Sequence, residues 1–267
     1  MPEHFSFSQL AAFEKCPLQY KFAFILKIPI KGKAVFSFGK TMHGALFNFL
    51  KQANESNKQE QENLFGFKDA ESGANKKGSN SGLESLSELY EKNWLGEWYE
   101  NKEQKEKYYK LGKRIIKDFY EEFSKNPPKI LKINQELALE MPFNLKIGEH
   151  TLKGRIDRID EKDGGATIID YKTGNSKEKL AMDDKEQLLI YQLAAEEVFK
   201  IKPKELIYYY LNDGKKASFL GTEKELKKQK EKIIREIEEI KNSNFKPTPG
   251  WQCGFCDFKD ICDFAER

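Results

Sequence analysis

No stretch of this chain is apolar for long enough to cross a bilayer as a helix, so a helical membrane protein is excluded. The opening residues, MPEHFSFSQL, carry neither a basic flank nor an uninterrupted apolar run, and no secretory leader is expected. Charge of one sign is scarce too. Lys and Arg total 46 against 43 Asp and Glu, which leaves a net charge of only +3. That is compatible with a phosphate-rich partner without pointing to one, so charge must be read locally. The sequence holds no internal repeat and no G-x₄-G-K-[ST] loop, which excludes a helicase motor of its own. Cysteine is limited to Cys16, Cys253, Cys256 and Cys262. In the reducing cytoplasm, where these absences place the protein, such a set favours metal over disulfides. What is present is ample core material: 39% hydrophobic residues, with 20 Phe and 11 Tyr among 267 residues.

Hydrophobic spacing predicts a first helix capped by Ser6 or Ser8 and interrupted at Pro17. A second helix is predicted over residues 36–50, where Phe38, Met42, Ala45, Leu46 and Phe49 recur at helical spacing. His43 lies on it. Residues 52–82 are rich in Asn, Glu, Lys, Ser and Gly and read as a flexible, largely disordered insertion. Helices are expected to resume at 83–98 and 105–123. Strands follow at 130–145, 151–160 and 166–172, then a helix at 183–199, a buried strand at 206–211, a short strand at 217–220 and a charged helix at 223–241.

Residues 154–174, GRIDRIDEKDGGATIIDYKTG, are the centre of the chain. Lys162-Asp163-Gly164-Gly165 has turn chemistry, and a hairpin centred between Asp163 and Gly164 sets Asp157 opposite Asp170. Lys172 then shares the face of Asp170. Facing carboxylates repel, and a divalent cation offsets that repulsion. Oxygen ligands suit Mg²⁺ or Mn²⁺. Two acids and a lysine on one face make a metal-assisted hydrolysis site, in which Lys172 orients the attacking water or stabilises developing charge. For an arbitrary Asp pair, solvated surface charge would be the better reading. Asp-x-Lys-Thr-Gly at the end of an apolar strand reverses that preference.

These residues resemble the PD-(D/E)XK nuclease signature, with Asp170 in the (D/E) place, and GRIDRID…IIDYKTG is similar to its RecB-type exonuclease branch. The resemblance implies an α/β fold with a restriction-endonuclease-like αβββαβ core, a mixed sheet flanked by helices. It would form one nuclease domain over 1–267, with residues 52–128 as a helical or disordered insertion. It implies DNA hydrolysis, of single strands and from an end, in repair, recombination or CRISPR spacer acquisition, alone or beside a helicase or integrase partner. His43 would be a metal ligand with Asp157, Asp170 and the backbone carbonyl of Tyr171, although a lone His beside Phe36 and Phe47 is more often a packed core residue. Gln187-Leu188-Leu189-Ile190-Tyr191 fits the family's Q-x-x-x-Y element, whose i and i+4 side chains share a helix face. Glu136 or Glu140 could supply a further carboxylate, but their alternation equally fits a solvent face, and neither is selected. Arg155, Arg158 and Lys177 are basic residues near the site that would attract a phosphate backbone. Tyr208, Tyr209 and Tyr210 read better as a buried strand than as a base-stacking platform.

Cys253-x₂-Cys256-x₅-Cys262 with a distant Cys16-Pro17 resembles the iron–sulfur staple of many RecB-type nucleases, joining 1–30 to 245–267 around a [4Fe–4S] cluster. A structural Zn²⁺ site uses the same thiolates, and the spacing alone does not separate the two. An inactive DNA-binding or scaffold subunit is the alternative function. A metal-free glycosidase with Asp157 and Asp170 as its acid pair is a third, and Lys172 beside the pair counts against it.

Overall fold

The computed structural model describes residues 3–65, 80–177 and 179–265, without the side chains of 56–65 and 80–81. Its centre is a five-stranded sheet in the order β3 (Leu139–Ile147), β4 (His150–Lys162), β5 (Gly165–Lys172), β6 (Pro203–Tyr210), β7 (Lys216–Phe219). Only β5 and β6 run parallel; the other neighbours are antiparallel. A parallel pair needs a crossover, and α6 (Met182–Glu197) supplies it. A short β1–β2 hairpin (Lys132–Ile133, Glu136–Leu137) precedes the sheet.

Alternation along the buried strands divides the core into two layers. On one face Ile168, Leu206, Tyr208 and Tyr210 pack with α1 (Phe7–Lys15), α6 and α7 (Glu223–Asn242). On the other, Ile169, Tyr171 and Tyr209 pack with α3 (Ala34–Phe65), α4 (Asn80–Asn93) and α5 (Lys102–Lys125). The parallel strand therefore carries its even and odd residues into separate layers, and the three tyrosines lie buried as expected.

Local chemistry explains the element ends. Ser6 caps α1 by accepting the Gln9 N–H. Pro17 opens α2 (Pro17–Tyr20) at its first position after an extended Cys16, and one π turn (Lys21–Ile25) follows. Thr222 and Glu225 form a reciprocal capping box on α7.

The hairpin register is the expected one: Lys162 pairs with Gly165 and Arg158 with Ile169. Residues 52–65 depart from expectation. They continue α3 rather than forming an irregular insertion. Their Lys, Gln, Glu and Ala are good helix formers, and a helix already anchored by packing extends without a new nucleus. Residues 66–79 of the expected insertion lie outside the described residues.

Candidate active site

The site forms where both helical layers meet the C-terminal end of β5. On α3, Met42, Ala45 and Leu46 are fully buried and hold the helix against the sheet. His43 between them sets its ring edge-on to Tyr171, centroids 6.2 Å apart.

Two local breaks in the sheet aim the acids. Strands β3 and β4 pair at Leu139–Arg158 and at Met141–Ile156, but the ladder skips Glu140 and Asp157 between them. Glu140 sits there at φ +47°, a left-handed conformation that a non-glycine residue adopts at a cost of about 1–3 kcal/mol. Both carboxylates reach His43: Nδ1 lies 3.4 Å from Glu140 Oε1 and 3.6 Å from Asp157 Oδ1. One step past the last β4–β5 rung, the Tyr171 N–H donates to Asp157 Oδ2 at 2.7 Å. The ligand atoms of His43, Glu140 and Asp157 all fall within 4.8 Å of one another.

Asp170 projects toward α6. Lys172 Nζ lies 2.7 Å from its Oδ2 and 4.9 Å from the centre of the Tyr208 ring. The same ammonium donates to Gln187 Oε1 at 2.8 Å, and Gln187 Nε2 donates to the Tyr191 hydroxyl at 2.9 Å. One turn of α6 separates Gln187 from Tyr191, so amide and phenol share a face.

Burial and the neighbouring Asp170 charge push Asp157 up to about 7, against the opposing pull of His43 and the Tyr171 N–H. Burial also raises Asp170, with Lys172 opposing it. Burial disfavours the charged form of His43, but the Glu140 hydrogen bond and the charges of Asp157, Glu140 and Asp170 lift it to about 9. Asp157 thus lies among the charges of Asp170 and Glu140, with the His43 imidazole, Lys172 and Arg155 as the cations that face these acids. Carboxylate oxygens with one imidazole are a donor set that suits a hard divalent ion.

A model of the PD-(D/E)XK nuclease superfamily matches residues 4–263. The chain belongs to the PD-(D/E)XK nuclease superfamily. It is also 30% identical over 132 residues to the Gene 69 protein of Mycobacterium phage L5, a match covering 47% of this chain and 44% of that one. The chain therefore spans less than half the length of that relative. The solved structure of SSO0001 covers 69% of this chain and 76% of its own, at 21% identity and a TM-score of 0.35. PD-(D/E)XK nucleases use divalent metals, and the His43, Glu140 and Asp157 cluster has the composition to hold one.

Within this PD-(D/E)XK fold the other sequence-predicted residues are distributed unevenly. Glu140 joins the cluster although alternation left it unselected. Only its dihedral and the skipped rung turn it inward, and neither has a sequence signal. Glu136 lies on β2, outside the cluster. Arg158 is a correction. It is 8% exposed, pairs with Asp160 at 2.9 Å and donates to the Tyr171 hydroxyl at 2.5 Å, so it cannot meet a phosphate backbone. As residue i+1 from Asp157 it points into the opposite layer. Arg155 is exposed, 3.4 Å from Glu140, and Lys177 is exposed and paired with Asp184.

Cys16, Cys253, Cys256 and Cys262 all line one small pocket, shared with Leu18, Phe22 and Phe258. None is in a disulfide. Burial raises the Cys256 thiol. At Cys16 burial is outweighed by hydrogen bonds from Thr248, Gln19 and Leu18, and its pKa is lowered. The tail is fastened beside it: Thr248 donates to the Lys15 carbonyl, Lys33 pairs with Asp257 at 2.5 Å, and Phe245 stacks on Tyr20.

Proposed function

We propose that the protein is a Mg²⁺- or Mn²⁺-dependent deoxyribonuclease that degrades single-stranded DNA from an end. The observation that carries this is the convergence of His43, Glu140 and Asp157 on one point beside the Asp170–Lys172 pair. His43, Asp157, Asp170, the Tyr171 carbonyl and, in addition, Glu140 would hold the ion, which supplies Lewis-acid polarisation of the phosphate and a more acidic bound water. Asp157 is kept in place by the Tyr171 N–H. Lys172, held between Asp170 and Gln187, stands where it can orient the attacking water or meet negative charge on the scissile phosphate. Tyr191 fixes the Gln187 amide, so the ammonium has one preferred direction.

The bound group at the tail is inferred to be a [4Fe–4S] cluster. What supports this reading is the likeness of Cys16-Pro17 and Cys253-x₂-Cys256-x₅-Cys262 to the iron–sulfur staple, together with the four cysteines lining one pocket; a structural Zn²⁺ would use the same thiolates. The cluster would staple 1–30 to 245–267 in a single nuclease domain. The proposed setting is cytoplasmic DNA repair, recombination or CRISPR spacer acquisition, alone or with a helicase or integrase partner.

Incubation of the purified protein with end-labelled single-stranded DNA and Mn²⁺ tests the activity. Cleavage that stops with chelator and in Asp170→Ala is expected. No cleavage by the wild type would leave the inactive DNA-binding scaffold as the better reading. A broad absorbance near 400 nm that bleaches with dithionite is the expected cluster signature, and a colourless zinc protein would overturn the iron–sulfur assignment.

A further inference from the structure

Beyond the C-terminal end of β5 the surface opens into a cleft of about 990 Å³. Lys177, Lys179, Lys185, Lys215 and Lys216 line it. They come from separate elements: the loop after β5, the first turns of α6, the β6–β7 turn and the start of β7. Their convergence is therefore a product of the fold and is invisible as a basic run in the chain.

The charge in the cleft is only partly neutralised from within. Lys177 pairs with Asp184, Lys216 with Glu122 at 3.1 Å, and Lys215 lies 3.9 Å from Asp213. Asp213 also accepts the Ser176 hydroxyl at 2.5 Å. Among the described residues Lys179 and Lys185 have no carboxylate within 4.0 Å, and Lys185 instead lies over the Phe219 ring at 5.1 Å. The wall next to the active site is Tyr210, which is the β6 register partner of Lys172. Neighbouring strands lie about 4.8 Å apart, so the cleft begins one strand away from the proposed catalytic lysine.

We infer that this lysine-lined cleft holds the phosphate backbone of the nucleic-acid strand on one side of the scissile bond. The inference rests on the nuclease reading of the neighbouring site and adds to it a path for the substrate. Lysines on flexible stems contact phosphates as point charges and carry no base preference, so the cleft grips the strand without reading its sequence. Among the described residues Lys179 and Lys185 have no ion-pair partner, and Lys177, Lys215 and Lys216 would exchange their carboxylate partners for phosphates.

The test is the salt dependence of binding of a fluorescent 15-nucleotide single-stranded DNA, measured by anisotropy in the Asp170→Ala background, where cleavage does not interfere. Neutralising Lys179, Lys185 and Lys215 with Gln should flatten the slope of log K against log salt by about 2, at about 0.7 per lost phosphate contact. Affinity at 0.1 M salt should fall at least tenfold. Lys179→Gln alone should lower the slope by about 0.7, and it guards against a folding defect in the triple variant. Removing the same charge from the helical layer on the other face, with Lys92→Gln, Lys102→Gln and Lys107→Gln, should leave the slope within error of the parent. A triple variant whose slope matches the parent, or a control variant that loses as much, would overturn the cleft assignment. A separate assay of wild-type cleavage keeps the two readings apart. Cleavage with an unchanged slope in the cleft variant removes the cleft alone, whereas a flattened slope without any wild-type cleavage keeps the cleft and removes the nuclease. Parallel titrations with RNA and duplex DNA of the same length identify which polymer the cleft prefers.

Discussion

At the scale of single residues, the site is a contest between burial and charge. Asp157 titrates at about 7 in the folded protein against an ordinary 3.8. The folded state therefore keeps a proton that the unfolded chain releases, and the stability of the metal-free protein falls as pH rises from about 4 to 7. His43, at about 9 against 6.5, adds the same sign between those values. Metal binding needs Asp157 ionised and His43 neutral, so Mn²⁺ affinity should rise with pH and release protons. Thermal melts at pH 5 and pH 8, with chelator and with Mn²⁺, check this: the gap between the two melts should widen at pH 8. A gap that narrows would contradict the assigned ligands. The residues also divide by role. Asp157→Ala should abolish that metal-dependent rise in Tm along with cleavage. Lys172→Ala should keep the rise yet lose cleavage by about a thousandfold, the scale of a lost charge-stabilising donor. Glu140→Gln should weaken Mn²⁺ at least tenfold, as measured by calorimetry; an unchanged affinity would remove Glu140 from the ligand set.

At the scale of elements, β4 carries the geometry. Gly154, the first residue of the central motif, pairs across the ladder with Phe143. A Cβ at Gly154 would lie 2.3 Å from the Phe143 ring, and that ring in turn packs edge-on against Tyr191. Gly154→Ala should therefore cost about 1–3 kcal/mol by overpacking. For a chain of this size that lowers Tm by roughly 2–4 °C per kcal/mol. Because the strain passes through Phe143 to Tyr191, cleavage should fall even below the melting range. Differential scanning calorimetry with a parallel cleavage assay decides it, and a neutral melt would show that the ring has room to move. The element order was legible from hydrophobic period and turn residues, because a sheet buried on both faces leaves apolar strands such as Thr167-Ile168-Ile169. The length of α3 was not. Its polar second half has no apolar stripe to mark it, and helix propensity in Lys, Glu and Gln acts without one.

At the scale of the whole molecule, the two ends of the chain meet at the four-cysteine pocket. If a cluster ties them, Cys16→Ser should lose the 400 nm absorbance and most of the iron, and its Tm should fall by several degrees because a closed loop nearly as long as the chain is released. An unchanged melt would show that the packing of Tyr20, Phe22, Phe245 and Phe258 suffices to hold the termini.

Residue types and their local spacing determined the α/β class, the hairpin register that faces Asp157 with Asp170, the placement of Lys172 beside Asp170, and the Gln187–Tyr191 pair. Each follows from the twofold repeat of a strand or the turn of a helix, which act over a few residues. Tertiary structure alone decided the rest: Glu140 joins the site through a skipped rung, Arg158 is drawn into the buried layer, and lysines from four elements gather in one cleft. Those outcomes depend on which strands become neighbours and where their pairing breaks, and long-range packing sets that.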